Sequence, residues 1–149
     1  MRIEILGGRV IDPVTALDKQ TGLYIHNRKI VAVGTAPDGF IADKRIDAQG
    51  QIVCPGFIDL SARLREPGQT HKANIQSETR AAASAGFTSL SIPPDTNPVI
   101  DTPAVVELIK DKAEQCAYAH IYPVAALTQK LAGKELSAMY ALKQAGCIA

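Results

Sequence analysis

The residues best placed to do chemistry lie in one short run, "PGFIDLSARLREPG", from Pro55 to Gly68. Alternate residues of a strand share a face. Ile58, Leu60, Ala62 and Leu64 therefore fall on one side, all apolar, and Phe57, Asp59, Ser61 and Arg63 on the other, increasingly polar toward the C-terminal end. Ser61 and Arg63 stand two residues apart, the spacing at which a metal enzyme would place two histidines on one strand face. Serine is a poor zinc ligand and a guanidinium has no lone pair to give. The run is thus a polar strand end that never held a metal, or a metal centre that has lost its donors. Arg63 turned into an interior needs a counter-charge, and Asp59 on the same face is the expected partner.

The elements that must position this run follow from texture. The first fifty residues are short β-rich runs, "RIEILGGRVID", "GLYIHNRKIVAVG" and "KRIDAQGQIV", punctuated by glycines and by a turn at His26-Asn27-Arg28. They predict a small antiparallel β unit over residues 1–50, with a hairpin in "LYIHNRKIVAV" that buries one face. From Gln51 the pattern becomes strand, loop, helix. "IVCPGFIDL" predicts a strand, and "NIQSETRAAASAG" a helix capped by Asn74 and stopped at Gly86, its small residues letting it lie close to a sheet. "FTSLSI" is the next strand. Thr102 and Pro103 open a second helix with Val105, Leu108, Ile109 and Lys112 on one side. "AHIYPVAAL" predicts a third strand, "GKELSAMYALKQAG" a third helix ending at Gly146, and "CIA" the start of a fourth strand.

Strand starts near Ile52, Thr88, Ala119 and Cys147 recur about every 30 residues, one βα unit. Such alternation builds an open doubly wound sheet or a (β/α)8 barrel, and no glycine-rich nucleotide motif supports the former. The fold expected is α/β: a small antiparallel β-sandwich portion over 1–50, then the first three βα units of a (β/α)8 TIM barrel over 51–149. A barrel needs about 250 residues, so the sequence reads as the N-terminal fragment of a longer protein.

On these motifs the sequence resembles a family. "GGRVIDP", "IDAQGQIVCPGFIDL", "LREPGQTHK" and "TRAAASAGFTSLSIPPDTNPVIDTPAVV" are similar to the N-terminal part of dihydroorotases of the amidohydrolase superfamily, over nearly the whole chain. The resemblance implies a β-sandwich portion, a barrel whose first strand ends in a zinc-binding His-x-His, an arginine matching Arg65 that grips the substrate carboxylate, and an assisting asparagine after the second strand. Ser61 and Arg63 occupy the two histidine positions, and Asp95 of "DTNP" occupies the asparagine position. A cation about 4 Å away repels a divalent metal by roughly 8 kcal/mol at an effective dielectric near 20. The zinc of active family members is therefore not expected here, and no other cofactor is implied. Arg65 and Asp95 are read as vestigial substrate-binding residues, with a solvated loop arginine and a plain turn aspartate as the alternatives. The resemblance extends to inactive dihydroorotase homologues that form hetero-oligomers with aspartate transcarbamoylase catalytic chains. It thus implies a non-catalytic structural subunit of pyrimidine biosynthesis. The rivals are an active cyclic-amide hydrolase with a rearranged metal site, and a sensor holding a carboxylated metabolite on Arg65.

Composition narrows the classes. A net charge of +1 with no Lys/Arg cluster offers no footprint for nucleic acid or an anionic membrane. No apolar run approaches the ~20 residues that span a bilayer, and the N-terminus lacks a signal-peptide pattern. The three cysteines, Cys54, Cys116 and Cys147, are widely spaced and read as free buried thiols of a cytoplasmic protein. His26, His71 and His120 are expected in a turn, a surface loop and a strand start.

Overall fold

The computed structural model describes residues 1–148 and divides into two compact units, Met1–Pro55 and Gly56–Ala149. The first unit holds β1 (Arg2–Leu6), β2 (Arg9–Asp12), β3 (Leu17–Gln20), β4 (Gly22–His26), β5 (Lys29–Gly34), β6 (Lys44–Asp47) and β7 (Ile52–Val53). They form two sheets, ordered β5-β4-β1-β6 and β3-β2-β7. The expected hairpin is β4–β5. Asn27 and Arg28 take φ of 49° and 65°, the left-handed turn that matches strand twist.

Two expectations for this unit need correction. It is not purely antiparallel, because β1 pairs with β6, and β2 with β7, in parallel; the hairpin between β1 and β6 and the long connection before β6 let the chain return in the same direction. Nor does the hairpin bury a single face. Adjacent Leu23 and Tyr24 are both buried, since Phe40 packs edge-on to Tyr24 at 5.4 Å, whereas Ile30, Val31 and Val33 of β5 are exposed. Across β2 and β3, Arg9 forks onto both oxygens of Asp18 at 2.6 and 2.7 Å and holds that carboxyl below the usual range. Buried Glu4 on β1 meets Arg45 of the neighbouring β6.

The run read as one strand from Ile52 is two. Its first part, β7, belongs to the first unit, and the chain breaks at Cys54-Pro55-Gly56, where proline removes a ladder donor. The two compact units divide between Pro55 and Gly56. The second unit contains β8 (Phe57–Asp59), α1 (Ile75–Ser84), β9 (Phe87–Ile92), α2 (Pro103–Cys116), β10 (His120–Pro123) and α3 (Met139–Ala145). The sheet runs β10-β9-β8 with both pairings parallel, so two helical crossovers are complete and the three strands end on one edge.

The helix boundaries follow the sequence closely. The Asn74 side chain accepts from the Ser77 N–H at 2.8 Å, and the Ser77 hydroxyl accepts from the Asn74 N–H at 3.1 Å, a reciprocal cap. Gly86, with φ 89°, follows the last turn. Pro103 opens α2 behind Thr102. The core joins Leu90 and Ile92 of β9, Ile75 of α1, Val105, Val106 and Ile109 of α2, and Leu142 of α3. Thr79, fully buried, donates to the Ile75 carbonyl at 2.6 Å and accepts from the Tyr118 N–H at 3.1 Å, tying α1 to the segment that leads into β10.

Several details differ from expectation. Leu108 is exposed, because the buried stripe of α2 includes Val106 and Leu108 sits about 100° around the helix from Ile109. Of the small residues of α1, only Ala82 packs against the core. The third helix is confined to Met139–Ala145. Before it, Gln129–Leu131 make a single 3-10 turn, and Gly133 at φ 71° donates to the Thr128 hydroxyl at 3.0 Å. Gly146, left-handed at φ 112°, ends α3. Cys147 and Ile148 are not strand, although the Ile148 N–H reaches the Pro123 carbonyl at 3.1 Å; Ala149 of the expected fourth strand lies outside the described residues. Only Cys147 is a buried thiol, its pKa pushed up by desolvation; Cys54 is exposed and Cys116 half-buried, as Cys54 lies in the break between units. Among the described residues no helix is long and apolar enough to cross a membrane.

Candidate functional site

The strand that should carry the site is short. β8 ends at Asp59, Leu60 and Ser61 bend, and the chain runs on irregularly to Leu64, held to the sheet by the Ala62 N–H donating to the Ser91 carbonyl at 2.8 Å. Ala62 and Leu64 pack into the core. Ile58 and Leu60, expected on the helix-facing side, are 64% and 79% exposed. The alternation rule presumes a helix along the whole face. Here α1 lies against β9, and β8 pairs with β9 alone among the described residues.

At the C-terminal edge of the sheet, a loop after β8 and another after β9 meet. Asp59 is not the partner of Arg63: its carboxylate turns back to accept from the Ser61 N–H at 2.9 Å. The Arg63 Nε instead donates to Asp95 Oδ2 at 2.9 Å. Arg63 is not buried either, its side chain being 54% exposed and that of Asp95 42%. Both residues line a small cleft of about 130 Å³, together with Arg65, Gln69, Thr96 and Asn97. Arg65, with φ 66°, has no ion pair or side-chain hydrogen bond among the described residues. Ser61, Arg63, Arg65 and Asp95 all belong to this edge, but Ser61 is not among the residues that line the cleft.

The meeting of the two loops depends on residues that motif reading passed over. Gly68 has φ 107°, and a Cβ there would come 2.6 Å from the Asn97 Cβ and 2.7 Å from its carbonyl oxygen. Only a residue without a side chain allows that approach. The Asn97 N–H also donates to the Pro67 carbonyl at 3.3 Å. Glu66 anchors the first loop from behind. Its Oε2 accepts the Ile75 N–H at 2.9 Å, satisfying a free donor at the start of α1, and its Oε1 lies 3.9 Å from Lys112 Nζ on α2. The Pro-Gly pair after Glu66 signals a turn, whereas nothing in the sequence links Glu66 to a helix starting nine positions later.

Neither the Ser61 hydroxyl nor the Arg63 guanidinium is a good donor to zinc, and the guanidinium already donates to a carboxylate. No three His, Cys, Asp or Glu side chains gather to hold a metal among the described residues. His26, His71 and His120 are exposed and lie in unrelated places. What the edge can do is meet an anion: two arginines and one aspartate line the cleft.

A family model described as Dihydro-orotase-like matches residues 50–149. The chain is 52% identical over its full length to a dihydroorotase-like protein of Pseudomonas aeruginosa and 44% identical to a dihydroorotase of Syntrophotalea carbinolica. It spans 35% of the length of each of these curated relatives. Among solved structures it superimposes on an L-hydantoinase (dihydropyrimidinase) from Arthrobacter aurescens, with a TM-score of 0.75 at 18% identity. That match covers 85% of this chain and 28% of the other, a likeness of fold.

Proposed function

Since the chain belongs to the dihydroorotase-like family of the amidohydrolase superfamily, we propose that it is the N-terminal part of a (β/α)8 barrel protein whose catalytic role has been given up. The observation that carries this reading is the Arg63–Asp95 pair. The family's two metal-ligand positions hold Ser61 and Arg63, and the residue at the assisting asparagine position is now a carboxylate engaged by that arginine. A change at one position is answered by a change at another, which suits a site relieved of its metal better than one awaiting it. A hydroxyl and a guanidinium cannot lower the pKa of a bound water as zinc does, and that activation is the main chemistry the metal supplies.

The whole protein, on this reading, is a structural subunit in pyrimidine biosynthesis. It associates in the cytosol with aspartate transcarbamoylase catalytic chains through a surface of the retained fold. Expressing the full-length protein with and without the transcarbamoylase chain of the same organism tests it, by sedimentation and by carbamoyl-aspartate formation. Co-migration, with a smaller or less active transcarbamoylase when this chain is absent, is expected. Two chains that never co-migrate, with the transcarbamoylase equally large and active alone, end the proposal. One or two tightly held metals per full-length chain, with turnover in a dihydroorotate ring-closure assay, would restore the hydrolase. A sensor is the second reading, favoured by the unpaired Arg65 guanidinium beside the cleft.

A further inference from the structure

We propose that the Asp95 carboxylate is a tethered counter-ion that occupies the cationic cleft and keeps free carboxylates out of it. Four observations combine. The cleft is small, about 130 Å³. Two arginines, Arg63 and Arg65, line it, and Asp95 is the one acidic residue among those that do. Arg63 offers Nε to Asp95, so the carboxylate that a ligand would bring is supplied by the protein itself. Finally, the pair is not what joins the two loops. The contact of Gly68 with Asn97 and the Asn97–Pro67 hydrogen bond hold them whether or not the ion pair forms.

A half-exposed pair on loops that are already joined is poorly suited to be a strut and well suited to be a plug. Its presence lowers the net positive charge of the cleft, and like-charge repulsion from Asp95 opposes any incoming carboxylate. Replacing the carboxylate by an isosteric amide removes both effects and leaves Arg63 and Arg65 free to grip a small dicarboxylate, one guanidinium per carboxylate. This inference concerns the cleft alone and does not depend on the partner proposed above.

The test is calorimetric titration of malonate, at low ionic strength, into the full-length protein and its variants. Asp95→Asn should bind malonate at least about tenfold more tightly than the unaltered protein, and the gain should vanish in Asp95→Asn combined with Arg63→Gln. Equal affinity of Asp95→Asn and the unaltered protein overturns the proposal, as does a gain that survives the loss of Arg63. Asp95→Ser serves as a second opening of the cleft, with circular dichroism to confirm folding. Should neither Asp95 variant fold, the pair is a strut after all and the proposal is overturned.

Discussion

The second unit contains two kinds of attachment, and they are unequal. Beneath the sheet, Ile75, Ile92, Ile100, Val106, Ile109 and Leu142 are almost wholly withdrawn from water, and each such side chain contributes about 1.5–3 kcal/mol by burial. At the sheet's C-terminal edge, the polar residues that chemistry would use are half exposed, and the ion pair between them is of a kind worth about 0.2–1 kcal/mol. The framework is held by packing and by backbone fit, whereas the site is held by charges that contribute little to folding. A site can therefore change its residues, and its purpose, while the framework stays the same.

The largest expected effect lies in the framework. Ile109→Ala should cost about 2–5 kcal/mol, read as a lower midpoint in urea unfolding; a loss below 1 kcal/mol would erase the contrast. At the edge, the one position expected to rival it is Gly68, for steric reasons. Gly68→Ala forces a side chain onto a left-handed backbone and into the Asn97 carbonyl, and should cost roughly 2–3 kcal/mol. A neutral result would show that the two loops are free to part. Thr79→Val keeps the shape but strands the Tyr118 N–H, and should cost about 1–3 kcal/mol, with faster amide exchange at Tyr118. Smallest of all, Asp95→Asn should change stability by less than about 1 kcal/mol, and the difference should shrink further in high salt. A larger, salt-independent loss would move the ion pair into the framework and end the comparison.

The same division decides what could be read in advance. Local signals sufficed for the framework: Asn74 and Gly86 bound α1, Pro103 opens α2, and Gly146 ends α3. Where reading failed, the deciding contact was distant in sequence. Alternation ranks the residues of one strand by face, so it offered Asp59 to Arg63, but Asp95 comes from a loop beyond the next strand. The break at Pro55 separated two apolar runs that looked continuous. Leu108 was misplaced because a helical stripe has a width and a centre that depend on what packs against it. The third helix was expected from Gly133 but begins at Met139, because the bond that shapes the preceding loop joins a threonine hydroxyl to a glycine amide five positions on. The cleft itself was only half legible, since the family resemblance marked Arg65 and Asp95 whereas Gly68 and Asn97, which bring the loops together, carry no chemistry of their own.

The two oxygens of Glu66 serve the start of α1 and the flank of α2. Its motif, "LREPG", is the string by which a reader would recognise a working hydrolase, yet this member of the string is occupied with building the molecule. Selection for a folded chain alone would keep the glutamate and the glycine two positions after it long after turnover had ceased to matter. In tracing descent, such a motif records shared ancestry and shape, and the two odd-numbered positions just before it, Ser61 and Arg63, record whether the trade is still practised.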